Sequence, residues 1–541
     1  MENDNSVKAA VIISKKKDWI AGADIEMFGK VKQKGDFIQF TRDGHVSLNK
    51  LEKGKKPVVA AISGACLGAG TEIALACHGR IVSDEKSTHF ALPEVMLGLL
   101  PGGGGTQRLP RLIGIQKALD MMLTGKKIYA SKAKKIGLAD KITNKESLLN
   151  AAIDFAIQLT KAPLKREDKR TFAEKLLESN SLSRRLVYSK AKEMVMKQTL
   201  GNYPAPLKIL ECVEIGMEEG ITKGLEAEAV KFEELILTDV SRQLIRIFFN
   251  MTEKKKNPYQ GKAEIKPHDN IAMIGAGFMG AGIAQVSEVD GINVLLKDVK
   301  EEMLASAKQT IWKDLEKKLK RKTMRQPEAE EIINRVESKL DYSGFDKVSV
   351  VIEAVFEEIK LKQKIVADVE AVVKPDTIFA SNTSALPISH IAEKAARPEH
   401  IIGMHYFSPV PKMPLLEIIK TPKTADWVTA TCFELGIRQG KTCIVVNDGP
   451  GFYTTRILAP YMNECFLLIE EGCEAGLIDK AMKRWGFPVG PVTLQDEVGI
   501  DVGAHIMSGE FAEMAKQREG ARSNDAVIKM FKDGCHGKKN K

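Results

Sequence analysis

The chain has 541 residues, too many for one hydrophobic core, and at about 150 residues per domain it divides into several units. With 44% hydrophobic and 28% charged residues, and 43 Gly and 21 Pro in no repeat, it is neither fibrous nor mainly disordered. Basic side chains exceed acidic ones by 81 to 71, a balance of +10 that suits an anionic small ligand, while 6% aromatic content argues against a base-stacking nucleic-acid surface. The eight cysteines form no CxxC pair and no metal-ligand spacing, so no metal is expected. No apolar run approaches the ~18 residues of a membrane-spanning helix.

Residues 9–13 (AAVII) and 57–62 (PVVAAI) read as strands within an alternation of strand and helix, an α/β signature. A small-residue turn, IAGADI, lies at 20–25, and GACLGAGTE at 64–72 leads into a helix. LPEV at 92–95 precedes LPGGGGT at 100–106. Backbone N–H groups at two such turns make an oxyanion hole for a thioester carbonyl. Two carboxylates, Glu72 and Glu94, serve to hold one water, one as base toward it and one as acid toward a carbon. On spacing alone the small residues equally serve packing and the glutamates equally sit on the surface. From 145 to 250 helix follows helix, broken by NYPAP at 202–206, and the polar stretch 253–267 reads as a connector.

At Ile271 a new domain begins. A strand (IAMI) runs into Gly275, Gly277 and Gly280 of a GxGxxG turn, a helix follows, and the next strand ends at Asp298. The first glycine permits the turn, the second lets backbone approach a pyrophosphate and the third allows helix–strand packing, with the phosphates at the helix N-terminus. Asp298, 18 residues after Gly280, is placed to accept from both ribose hydroxyls. Its charge repels a 2′-phosphate, so the expected cofactor is NAD. Downstream lie Ser384 in FASNTS, His405 in GMHYFSP and Glu417 in LLEII. A histidine takes a hydroxyl proton while hydride leaves the carbon, a carboxylate orients its ring, and a serine hydroxyl holds the substrate oxygen. By spacing alone a core histidine and a strand-edge acid fit equally well. DGPG at 448–451 closes this stretch, and from Phe452 the pattern is helical.

Two resemblances sharpen these readings. Residues 271–535 closely resemble the 3-hydroxyacyl-CoA dehydrogenase family, through GAGFMGAGIAQ, IEAVFEE, FASNTSALPIS, GMHYFSPV, LLEII and NDGPGFYTTR. The resemblance makes His405 the catalytic base, Glu417 its partner, Ser384 a substrate-oxygen ligand, and Glu357 and Lys362 residues lining the nicotinamide side. Thr455 stands where short members carry asparagine, as in the large multifunctional members. Residues 7–142 resemble the crotonase (enoyl-CoA hydratase) family, which makes Glu72 and Glu94 the catalytic pair and the N–H groups of Ala23 and Ala69 the oxyanion hole. Both acids together favour a hydratase over an isomerase. Family members carry further strands and a helix before the 20–24 turn, so the first domain is expected to be N-terminally incomplete.

The order of domains is similar to that of the multifunctional hydratase/dehydrogenase enzymes of fatty-acid β-oxidation, above all their mitochondrial members, with peroxisomal and bacterial relatives as alternatives. The expected architecture is α/β and multidomain: a crotonase-like ββα spiral over 1–145, a helical connector over 146–266, a Rossmann NAD-binding domain over 267–447 and an all-α domain over 448–541. The resemblance implies hydration of a 2-enoyl-CoA and NAD-dependent oxidation of the 3-hydroxyacyl-CoA formed. It also implies acyl-CoA substrates, a 3-ketoacyl-CoA thiolase partner or self-association through 452–505, possible peripheral membrane contact, no nucleic acid, and a mitochondrial location. Alternatives are a subunit with dehydrogenase activity only, or one that binds acyl-CoA and scaffolds a thiolase.

Overall fold

Two short apolar runs start the first sheet, β1 (Ala10–Ile13) and β2 (Val58–Ile62), paired in parallel. VVAAI in β2 has no polar residue on either face and is buried throughout, as a central parallel strand requires. The chain then steps to a second, smaller sheet with β3 (Ala65–Leu67), forms the helix Ala69–Ala76, and returns as β4 (Gly79–Ser83). The repeat follows with β5 (His89–Ala91), after which come β6 (Ile128–Tyr129) and β7 (Lys141–Thr143). The sheets run β1-β2-β4-β7, all parallel, and β3-β5-β6, in which only β6 is antiparallel. Strand, strand, helix is the ββα spiral expected. The computed structural model describes residues 3–508 except 322, together with 512–514, 522 and 524–540.

The chain divides into Met1–Phe249 and Asn250–Lys541. The separate connector expected over 146–266 takes another form. Its helices up to residue 249 belong to the first unit, and Tyr188, Ile209, Val213, Phe232 and Ile236 share one core with Phe28, Phe90 and Leu109 of the spiral. The physical reason is amphipathicity: in the helix Ile221–Ile236 the residues Leu225, Ala229, Phe232 and Ile236 form one buried stripe that needs a partner surface. The residues just after 250 belong to the second unit, where Asn257 donates to the Ala430 carbonyl at 2.9 Å and the Lys266 N–H to Thr431 Oγ1 at 3.0 Å.

The second unit is built on one eight-stranded sheet: β8 (Asn270–Ile274), β9 (Asn293–Lys297), β10 (Val336–Lys339), β11 (Val350–Glu353), β12 (Ile378–Ser381), β13 (Ile401–Tyr406), β14 (Leu415–Lys420) and β15 (Thr442–Asn447). Its order is β10-β9-β8-β11-β12-β13-β14-β15, parallel except where β14 meets β13. Strand order reverses between β8 and β11, and a crevice at such a reversal is where open α/β sheets bind ligands. Apolar cores lie on its two faces. After β15 come the helices Thr454–Glu470, Ala475–Trp485, Pro491–Val498 and Ile500–Ile506, with Tyr453, Ile457, Leu477 and Trp485 exposed.

Candidate active sites

In the first unit, the helix Ala69–Ala76 starts from Gly68 at φ +52°, a left-handed conformation in which a Cβ would also lie 2.9 Å from Glu94 Oε1. Ala69 is the first residue of that helix, so its N–H has no intrahelical acceptor. Ala69 and Ala23 both line a cavity of about 370 Å³ together with Glu72, Glu94, Phe28, Phe37 and Phe232. Phe37 lies 5.6 Å from Phe28 and 5.7 Å from Phe232, ring centre to ring centre, so part of the cavity wall is apolar and aromatic.

The two acids differ in their surroundings. Glu72, buried one turn into its helix, accepts from the N–H groups of Gly103 and Gly105, both at 2.7 Å. Burial and the charge of Glu228 push its carboxyl up to about 7, against those two N–H bonds. Glu94 opens the 3₁₀ turn Glu94–Leu97, and its buried Oε2 has no partner. Burial, with the charge of Glu72, holds Glu94 well above the usual carboxylate range.

Sequence reasoning missed two residues here, His45 and Glu228. Glu228 is fully buried, on the stripe of the helix Ile221–Ile236 between Leu225 and Phe232. An acid on an apolar stripe was the legible signal. A third, Glu233 of the same helix, accepts from the N–H groups of Gly35, Phe37 and Ile38, and so pins the entry to the helix Ile38–Lys53.

In the second unit, Gly275 ends β8 at φ +97°, and a Cβ there would lie 2.6 Å from the Ala354 carbonyl oxygen. A Cβ on Gly280 would lie 1.8 Å from the Gly275 carbonyl oxygen, whereas one on Gly277 would meet nothing within 4 Å. Gly277 thus leaves open space at the start of the helix Phe278–Val289, the place a pyrophosphate takes on such a helix. Asp298 holds the turn by accepting from the Ala276 N–H at 2.8 Å. These residues fit a dinucleotide.

His405 and Glu417 are cross-strand partners in the antiparallel β13–β14 ladder. His405 Nδ1 lies 2.7 Å from Glu417 Oε2, and both side chains are buried. Glu417 also accepts from Thr454 Oγ1 at 2.7 Å and from the N–H groups of Thr454 and Tyr453 at 3.0 and 3.2 Å. Burial opposes ionisation of Glu417, but the bonds from His405 and Thr454 outweigh it and hold the carboxyl below its usual range.

Ser384 is linked to this pair through Thr455, the neighbour of Thr454. The Ser384 carbonyl accepts from Thr455 Oγ1 at 3.1 Å, and its N–H donates to Glu357 at 3.0 Å. Thr455, the residue that departs from the short dehydrogenases, therefore ties the Ser384 loop to the helix whose first residue holds Glu417. Glu357 also accepts from Thr383 Oγ1. The side chain of Lys362 is fully buried, with Nζ 2.8 Å from Glu353 and 3.4 Å from Glu357, so it is tied to Glu357.

Residues 1–204 match the enoyl-CoA hydratase/isomerase family. Residues 270–449 and 451–541 match the NAD binding domain and the C-terminal domain of 3-hydroxyacyl-CoA dehydrogenase. The fold and the two sites therefore define a hydratase joined to an NAD-dependent dehydrogenase. The chain belongs to the multifunctional enoyl-CoA hydratase/3-hydroxyacyl-CoA dehydrogenase family that includes the fatty acid oxidation complex subunit alpha proteins. It is 46% identical to that subunit from Shewanella baltica (strain OS185) over 542 residues, and 46% identical to the one from Idiomarina loihiensis over 548; each match spans 100% of this chain and 76% of the relative. Among solved structures, (S)-3-hydroxybutyryl-CoA dehydrogenase PaaH1 from Ralstonia eutropha is 32% identical, covering 51% of this chain and 97% of that one with a TM-score of 0.48. The chain is a bifunctional β-oxidation enzyme that uses NAD. The Shewanella and Idiomarina relatives are bacterial, and the mitochondrial location expected from the resemblance finds no support in them.

Proposed function

We propose that Glu72 and Glu94 are the hydrating pair, Ala23 and Ala69 the oxyanion hole, and His405, Glu417 and Ser384 the oxidising group. The observation that carries the reading is the unequal footing of the two acids: Glu72 Oε1 accepts from two N–H groups, whereas the buried Oε2 of Glu94 has no partner. Two nearby buried carboxyls do not both ionise, so the pair keeps one proton, and it resides on Glu94. Glu72 then takes a proton from water as its oxygen bonds to the β-carbon of a 2-enoyl-CoA, and Glu94 delivers its own to the α-carbon. The N–H groups of Ala23 and Ala69 hold the negative charge that develops on the thioester oxygen.

In the second unit, His405 gives its Nδ1–H to Glu417, which leaves Nε2 to accept the proton of the 3-hydroxyl group. The Ser384 hydroxyl holds that oxygen. The nicotinamide of NAD, when bound, supplies the acceptor for the hydride at C3. The product, a 3-ketoacyl-CoA, is the substrate of thiolytic cleavage, and the relatives are named as the alpha subunit of a complex. On both grounds we propose a 3-ketoacyl-CoA thiolase as partner. One assay tests the catalytic reading: an enoyl-CoA with NAD, following enoyl loss and NADH separately. Both signals are expected, and His405→Ala should abolish the second alone. Loss of both, or of neither, overturns the assignment.

A further inference from the structure

The glycine turn over 102–106 is gripped by two carboxylates. Glu72 accepts from the N–H groups of Gly103 and Gly105. Glu228 accepts from those of Gly104 and Thr106, at 2.5 and 3.2 Å, and from Thr106 Oγ1. Alternate amides thus point to opposite acids. His45 Nε2 lies 2.8 Å from Glu228 Oε1 and 2.8 Å from the Gly102 carbonyl, two acceptors, so that nitrogen carries a hydrogen. Every partner of Glu228 is a donor, as suits a carboxylate.

We propose that Glu228, paired with His45, is a positioning residue for hydration: it fixes the 102–106 turn against Glu72 and sets the charge in whose presence Glu72 works. This inference rests on the assignment of Glu72 and Glu94 as the hydrating pair. A carboxylate buried beside that of Glu72 is costly unless it is compensated, and its four donor partners, two on each oxygen, are met in full only by a carboxylate. The titratable groups that Glu228 faces are His45 from the helix Ile38–Lys53, Glu72 and Glu94 at the cavity, and Cys212 from the helix Pro204–Glu219. Arg108 adds a cation on the turn itself, donating to the Gly103 carbonyl at 3.0 Å while it pairs with Glu52 at 2.9 Å. His45 supplies the compensating partner: burial disfavours its cation, but the bond and charge of Glu228 outweigh burial and raise its proton affinity.

The test is the pH profile of enoyl-CoA hydration by the full chain. Glu228→Gln removes a negative charge near Glu72, so the acid limb should move down by about one pH unit, with kcat lowered about tenfold and KM within about twofold. His45→Gln keeps a donor toward Gly102 and Glu228 but removes the cation, so the limb should move up. Opposite shifts support the proposal; no shift in either variant, or shifts in one direction, overturns it. If Glu228→Gln loses saturable enoyl-CoA turnover altogether, the direction of the His45→Gln shift decides alone. Glu72→Gln in the same assay separates the two levels. If it leaves hydration intact, the assignment of the pair falls. If it abolishes hydration while the limb stays fixed in the other two variants, only the positioning role falls.

Discussion

Replacing Glu417 by Gln keeps its volume and removes one charge, and the surrounding geometry dictates the effect on turnover. All four partners of this buried carboxylate are donors: His405 Nδ1, Thr454 Oγ1 and two backbone N–H groups. An amide offers one acceptor oxygen and one donor nitrogen. Turned with nitrogen toward the backbone, it orphans the N–H groups of Tyr453 and Thr454, at about 1–3 kcal/mol each. Turned the other way, it forces His405 into the tautomer with hydrogen on Nε2, which then has no lone pair for the substrate hydroxyl. An error of tautomer in a comparable dyad costs about 10⁴-fold in rate. The expected fall in kcat for 3-hydroxyacyl-CoA oxidation is therefore about 10²–10⁴, or roughly 3–5.5 kcal/mol of barrier. NADH formation from supplied 3-hydroxyacyl-CoA measures it, with NAD affinity and hydration as internal controls that should stay within about twofold. The double variant with His405→Ala should be scarcely slower than His405→Ala alone. A kcat within threefold of wild type, or additive losses in the double variant, would refute the reasoning.

Hydration should rise with pH through about 7 as Glu72 gives up its proton, and Glu94→Gln should cost about 10²–10⁴ in hydration with dehydrogenase turnover unchanged; a flat profile between pH 5 and 9 contradicts this. Asp298→Ala removes the acceptor for the Ala276 N–H and the charge facing a 2′-phosphate, so NAD should bind about 10–100-fold more weakly and the gap to NADP should narrow; equal use of both cofactors by the wild type contradicts it. Glu288 has both oxygens buried without a partner, and burial raises its carboxyl from 4.5 to about 8. Because the folded value lies above the unfolded one, stability is lost as pH climbs from about 4.5 to about 8 and levels off beyond, by at most about 5 kcal/mol. Glu288→Gln should flatten that slope in denaturant unfolding, and equal slopes in the two proteins would rule it out.

Residues within one run of sequence were legible, and contacts between distant runs were not. The turn, helix and acid around Gly275, Gly277, Gly280 and Asp298 form one strand–helix–strand unit whose spacing is its own evidence. Glu72 lies among small residues in AGTEIA, whereas Glu94 lies in LPEVML, and it is the resemblance to the hydratase family that pairs the two. Glu228 reaches His45 across 183 positions, and nothing in the 221–236 run but an acid on an apolar stripe marks it. For the same reason the helices beyond 145 read as a connector: helical periodicity reports which face is buried, never which surface buries it. A lysine is ordinarily exposed, and the burial of Lys362 was not legible. The two acids that keep it buried, Glu353 and Glu357, lie four residues apart in the sequence, with no signal of a shared partner.

In the ladder of β13 and β14, His405 stands opposite Glu417, Met404 opposite Ile418 and Tyr406 opposite Leu416, while six rungs tie β14 to β15 on its other side. The acid–base pair is therefore a property of alignment between strands and owes little to the segment 407–414 that joins them. Val410 anchors that segment, buried in the core and bonded through its carbonyl to Lys441 Nζ, while exposed positions such as 411 and 412 can change with the proton-transfer pair kept in step by the ladder. A slip of one residue between β13 and β14 has the opposite effect: it would turn one partner to the far face of the sheet.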